Sequence, residues 1–218
     1  LDAASAPYLG ELRCAQFIAE FLRSLGAEVI LEEVEPDRPN VIGRFPSNGS
    51  GKPRVLLAPH IDTVSVQGMT IDPFAAEIRD GRIYGRGASD TKGTMAAMLW
   101  ALSGLGPKVA DLNVDVTFVG FIGEENNQPG SKHFAKHHAD YDFAVVGEPT
   151  NLDVVYTHKG TTWLELVARG RSAHGARPEL GENAILKLAR ALNDLDRTFP
   201  TVLETFTDPV LGPSTMNI

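Results

Sequence analysis

The sequence predicts an α/β fold: a mixed sheet covered by helices, followed by part of a smaller α+β unit. Three observations predict it. Residues 114–122 are almost continuously apolar, as expected of a strand buried on both faces. Residues 9–25 and 94–105 carry apolar side chains at helical spacing, and they are interleaved with short apolar runs of strand character. Beyond Thr157 the pattern changes to period two, with Trp163, Glu165 and Val167 alternating against Leu164, Leu166 and Ala168, the signature of a sheet with one solvated face. Two domains are therefore expected, 1–157 and 158–218.

In chain order, Leu12, Ala15, Ile18, Ala19, Leu22 and Leu25 form one helical stripe, and Gly26 follows as a stop. Residues 29–31 read as a strand. Residues 41–45 and 54–58 read as another pair, joined by the turn-rich stretch 46–51. The stretch 71–86 is irregular, with Asp80-Gly81 marking a hairpin. After the helix 94–105 and the strand 114–122, residues 131–138 read as helical and 143–146 as a short buried strand. Ala184, Ile185, Leu188, Ala191, Leu192 and Leu195 give residues 182–195 a helical stripe. The last residues, 216–218, resemble a strand with no successor. The chain also begins at Leu1, so a longer whole is expected.

Composition excludes several function classes. Hydrophobic content of 43% and charged content of 22% are those of an ordinary globular protein. A formal net charge of −8 with no long basic run argues against a nucleic-acid partner. It suits a cytoplasmic protein whose carboxylates hold cations. No apolar stretch approaches the roughly 18 residues that span a bilayer, and no signal peptide is evident, so no membrane partner is expected. Cys14 sits in a helical pattern beside Phe17 and Ile18 and reads as a buried thiol. Asn48-Gly-Ser50 matches a glycosylation acceptor by chance.

The chemistry gathers at the ends of apolar runs. Residues 55–58 lead to His60 and Asp62, residues 118–122 to Glu124 and Glu125, and residues 143–146 to Glu148. In open α/β sheets, ligands collect beyond the carboxyl ends of strands. Asp90 stands between a glycine-rich turn and an apolar helix. Taken alone it reads equally as an N-cap accepting from Lys92 or Gly93. Each acid, singly, also reads as a solvated loop residue. The adjacent Glu124 and Glu125 resist that reading, because two like charges at a strand mouth repel unless a cation or shared proton offsets them.

Five motifs occur together: His60-Ile-Asp62-Thr-Val, Tyr84-Gly-Arg-Gly-Ala-Ser-Asp90-Thr-Lys-Gly93, Gly123-Glu124-Glu125, Gly147-Glu148-Pro-Thr150 and Gly170-Arg-Ser-Ala-His174-Gly. In that order and at those separations, from about residue 54 to 195, the chain resembles the di-zinc amidohydrolases. That family includes acetylornithine deacetylase, succinyl-diaminopimelate desuccinylase, aminoacylase and glutamate carboxypeptidase.

The resemblance implies a zinc-peptidase-like catalytic domain, then a lid and dimerisation domain. It implies two divalent ions, zinc first with cobalt or manganese as alternatives, about 3.5–4 Å apart. Asp90 would bridge them, His60 and Glu148 would complete one ion's ligands, and Glu125 would bind the other. Asp62 would orient the His60 imidazole through its ring N–H. The Asp90–Thr91 peptide would be cis. Glu124 would be the general base, taking a proton from a water held between the ions and passing it to the leaving amine. His174 would donate to the developing oxyanion, in family dimers often from the partner subunit. The implied activity is hydrolysis of the amide of an N-acyl amino acid, in amino-acid biosynthesis. A carboxypeptidase or dipeptidase on the same site, or a catalytically idle relative, is the alternative. The implied assembly is a homodimer through the lid.

The family's second ion also takes a histidine, and its substrate an asparagine and arginine, that this sequence does not supply. His133 and His137 stand at i,i+4, but without the H-E-x-x-H pattern they read as a solvated helix face. Lys159, Arg171 and Arg177 could grip a substrate carboxylate, but exposed basic residues near a loop are usually just solvated. Gly85-x-Gly87-x-x-Asp90 is neither a dinucleotide fingerprint nor a P-loop, and no nucleophile elbow surrounds Ser172.

Overall fold

The computed structural model describes residues 10–45, 47–138 and 140–218, in two compact units that divide between Leu152 and Asp153. The first unit opens with α1, Leu12–Ser24, whose Ala15, Ile18, Ala19 and Leu22 form one fully buried stripe. Gly26, at φ 89°, ends it in the left-handed conformation that glycine adopts without a Cβ penalty. Strand β1 (Glu28–Glu35) turns into β2 (Arg38–Arg44), and β3 spans Arg54–Pro59. Strands β4 (Glu77–Arg79) and β5 (Arg82–Tyr84) form the hairpin predicted at Asp80-Gly81, with φ of 52° and 72° at those residues. Then come α2 (Lys92–Leu105), β6 (Asp115–Gly120), α3 (Pro129–His137) and β7 (Phe143–Gly147).

The large sheet has the order β1-β2-β6-β3-β7. Its first two pairings are antiparallel, and β6 with β3 and β3 with β7 are parallel, so the sheet is mixed as predicted. Strands β2 and β3 are not the pair that their turn-rich connection suggested. Strand β6 lies between them, pairing Val41 with Gly120 on one side and Arg54 with Asp115 on the other. Its apolar side chains suit both faces of a covered centre, whereas a β2–β3 hairpin would leave them at an edge. Pro46, in that connection, lies outside the described residues.

Helices cover both faces. Ile18 and Leu22 of α1 and Met95, Leu99 and Leu102 of α2 pack with Val41, Val116 and Phe118. Phe134 of α3 packs with Ile42, Leu56, Ala58 and Val119. Adjacent residues of β2 and β6 thus serve opposite cores, as the two-residue strand period requires. Each fully buried Leu or Ile contributes about 1.5–3 kcal/mol. Strand β7, expected to be buried, occupies a sheet edge instead: Phe143 and Val146 are 62% and 63% exposed. An apolar run reports β propensity but not whether a cover exists.

In the second unit, α4 spans Ala184–Leu203, longer than predicted, and the Asn183 side chain caps it by accepting the Leu186 N–H at 3.0 Å. Ala184, Leu188, Leu192 and Leu195 form its half-buried side. Strands β8 (Thr207–Asp208) and β9 (Gly212–Pro213) pair as a short hairpin. The period-two stretch 157–168 forms no ladder among the described residues, and Trp163 and Leu164 stand 82% and 84% exposed. Alternation specifies which side chains share a face, but a strand also needs a partner. Residues 216–218 are likewise not a strand. No helix among the described residues is long and apolar enough to cross a membrane.

Candidate metal centre

Parallel pairing of β3, β6 and β7 brings their carboxyl ends to one edge. The register sets Pro59 beside Gly147, and a bridge sets His60 beside Phe121. His60 therefore leaves β3 next to the chain that continues β6 toward Glu124 and Glu125, and Glu148 directly follows β7. Asp90 arrives from the turn before α2. Its carboxylate does not cap that helix: Thr91 is the N-cap residue, and no side chain caps there. Asp90 instead meets His60, so the N-cap reading of its position does not hold.

The His60 side chain is buried and held at both ring nitrogens. Nδ1 lies 3.3 Å from the Asp62 carboxylate and 3.2 Å from the Asp62 carbonyl. Nε2 lies 3.0 Å from Asp90 Oδ1, 3.9 Å from Glu148 Oε1 and 4.0 Å from Glu124 Oε2. Two triads have ligand atoms mutually within 4.8 Å: His60 with Asp90 and Glu125, and His60 with Glu124 and Glu148. These triads share His60, whereas the family pattern shares Asp90.

The strand ends are braced against each other through polar groups. Asp62 Oδ1 and Oδ2 accept the backbone N–H of Glu124 and Glu125 at 3.0 and 3.1 Å, so one carboxylate fixes both the imidazole and the adjacent acids. Thr91 Oγ1 donates to the Gly147 carbonyl, and Lys92 Nζ donates to the Ile61 carbonyl at 2.6 Å. The Asp90–Thr91 peptide is cis. At Gly147 a Cβ would fall 2.7 Å from Thr94 Oγ1, so only glycine lets this strand end lie so close to α2. The Asp62–His60 contact and the cis peptide match what the resemblance implied, whereas the bonds to the Glu124, Glu125, Gly147 and Ile61 backbone were not read from the sequence. Each depends on which backbone the fold returns to a given side chain.

The electrostatics suit a cation. Burial lowers the His60 pKa, but the hydrogen bond and charge of Asp62, the Asp90 hydrogen bond and the Glu148 charge outweigh it and raise the pKa to about 9. Burial pushes the Asp62 carboxyl up, yet its bonds from His60 and from the Glu124 and Glu125 backbone hold it below the usual carboxylate range. Glu125 is pushed up by burial and by the Asp90 charge. Glu148 is raised by burial and by Glu124, Asp90 and Glu125, against the pull of His60. Among the described residues Asp62, Asp90, Glu124 and Glu148 form ion pairs with His60, and neither they nor Glu125 pair with a lysine or arginine. One imidazole and four carboxylates around a shared space are a donor set that fits a divalent ion.

His174 belongs to the second unit, where it lines an open cleft of about 510 Å³ with Arg171 and Asn183, and its Nδ1 accepts the Ala176 N–H at 3.1 Å. The His133 and His137 rings lie 4.5 Å apart and tilted, and His137 is exposed as a solvated helix face requires, but His133 is not solvated in that way. His133 and His138 are half-buried, with Nε2 atoms 3.7 and 2.9 Å from the Glu32 carboxylate on β1.

A model of Peptidase family M20/M25/M40 matches residues 56–207. A probable succinyl-diaminopimelate desuccinylase of Staphylococcus epidermidis is 28% identical over 199 residues, covering 89% of this chain and 48% of the relative. An acetylornithine deacetylase of Aliivibrio salmonicida is 33% identical over 179 residues, covering 81% and 46%. Among solved structures, an M20 family metallo-carboxypeptidase from Sulfolobus solfataricus superposes with a TM-score of 0.52 at 30% identity, over 62% of this chain and 32% of that one. The chain spans about half the length of the curated relatives it matches.

Proposed function

Because this chain belongs to Peptidase family M20/M25/M40, we propose that the whole protein is a metal-dependent hydrolase that cleaves the amide bond of N-acyl amino acids. The observation that carries the reading is His60, clasped by Asp62 on one nitrogen and facing Asp90, Glu124 and Glu148 with the other, inside the matched span. In this proposal His60, Asp90, Glu125 and Glu148 hold two divalent ions, zinc in the first place. Ions bound there supply Lewis acidity, polarising the scissile carbonyl and easing deprotonation of the attacking water.

The chain's own residues do the rest. Asp62 keeps His60 in the tautomer whose Nε2 lone pair faces inward. Glu124, whose Oε1 accepts a hydrogen bond from Gln128 at 3.3 Å, takes the proton of the attacking water. It then delivers that proton to the leaving amine, so that one carboxylate acts as base and as acid. For His174 the role of donor to the oxyanion rests on resemblance alone. So do the reading of 158–218 as a lid and a homodimer through it, whereas a cytoplasmic location draws on the acidic composition.

The second reading, a carboxypeptidase or dipeptidase on the same residues, draws on the metallo-carboxypeptidase likeness. The test is hydrolysis by zinc-loaded protein of N-acetyl and N-succinyl amino acids against unblocked dipeptides. Faster release from the acylated set supports the deacylase. Faster dipeptide cleavage supports the peptidase, and turnover of neither set leaves a catalytically idle relative.

A further inference from the structure

We propose that Asn40 is a positioning residue for the Glu124–Glu125 turn, a buried amide that sets from the core side where those two carboxylates stand. The inference rests on the functional reading above. Asn40 lies in β2 and is fully buried, in a strand whose neighbours Val41 and Ile42 are core residues. A polar side chain at such a place must have its hydrogen bonds met. Both go to backbone on either side of one loop: Oδ1 accepts the Ile122 N–H at 3.2 Å, and Nδ2 donates to the Gly130 carbonyl at 2.9 Å.

Ile122 is the last apolar residue before the turn, and Gly130 lies at the start of α3. A single side chain therefore ties together the two ends of the loop that carries Glu124 and Glu125. From the opposite side Asp62 accepts the N–H groups of both acids. The turn is held from two directions, by a carboxylate facing the reacting groups and by an amide in the core.

Gly130 reports how close the amide comes. A Cβ there would fall 2.5 Å from Asn40 Oδ1 and 2.7 Å from the backbone N and O of Ile122. Alanine at 130 would thus push the loop end off the amide while leaving Asn40 itself in place. Gly130 has no positive φ, so the substitution adds no backbone strain of its own.

The test uses the 218-residue chain with zinc as the probe. Equivalents bound and their affinities are measured by competition with a chromophoric chelator, and amide hydrogen exchange is followed over residues 122–130. The variants are Asn40→Leu and Gly130→Ala. Ile42→Val, in the same strand, controls for general loss of stability. Both loop variants are expected to weaken the zinc equivalent that depends on Glu125 by about 10–100-fold, the range for groups that orient metal ligands indirectly. They should also speed exchange in the turn by about tenfold or more relative to the control. Where hydrolysis is followed, kcat should fall by a larger factor than KM rises.

Gly130→Ala carries the same test should Asn40→Leu not fold. Wild-type zinc affinity and exchange in either folded variant would overturn the role of Asn40. An unsubstituted chain that binds no zinc would overturn the functional reading and this inference with it, so the two failures are told apart by the parent protein.

Discussion

Glutamine at position 124 keeps the shape of glutamate but cannot accept a proton. Glu124→Gln is therefore expected to retain bound metal and to lower kcat by about 10²–10⁴-fold, the usual worth of a general base. Metal analysis beside turnover checks this, and unchanged kcat would remove Glu124 from the mechanism. His60 makes a second prediction. Its raised pKa stabilises the metal-free fold fully below the ordinary value of 6.5, and that contribution is lost as pH rises through about 9. An ion needs the neutral imidazole, so zinc added near neutral pH must displace a proton. Calorimetric titrations in buffers of different ionisation enthalpy should give different apparent heats, and identical heats would contradict the displacement. At this scale the acids and His60 were legible, because ligand-type residues stood at the ends of apolar runs. The double duty of Asp62 was not. A carboxylate that accepts the backbone N–H of residues 62 and 63 positions away is defined by the fold's return path, and no local pattern encodes that path.

The strands β3, β6 and β7 explain why residues 60, 124, 125 and 148 meet at all. Parallel neighbours share their carboxyl edge, and the α2 and α3 crossovers make that geometry possible. The sequence reading found these strands and their helices but placed β2 beside β3, because a turn-rich connection is a local signal and strand order is not. It also read β7 as buried and 157–168 as a sheet, since apolar periodicity reports side-chain faces and is silent about neighbours. The close passage of β7 over α2 is the element most exposed to a single atom. Gly147→Ala places a methyl group against Thr94 and Met98 and should destabilise the fold by about 1–3 kcal/mol, the cost of overpacking. It should also displace Glu148, so thermal unfolding of the metal-free chain and zinc affinity should fall together. A drop in stability with unchanged affinity would show that Glu148 is not moved by the strand end.

Taken as a whole, the first unit draws its candidate ligands from four separate turns spread between positions 60 and 148. An ion held by all of them binds the folded chain and not the unfolded one, so melting temperature should rise with free zinc, by about 2.7 kcal/mol of added stability at a hundredfold excess over Kd. A chelator should reverse the rise, and a melting temperature indifferent to both would count against the centre. Strand β7 has a different consequence. Among the described residues its backbone is laddered to β3 on one side, and its Phe143, Val145 and Val146 face solvent. A short, uncharged, β-favouring border of that kind is a template for stray chains. In concentrated solutions of these 218 residues by themselves this rim, more than any helix, is where molecules should begin to stick.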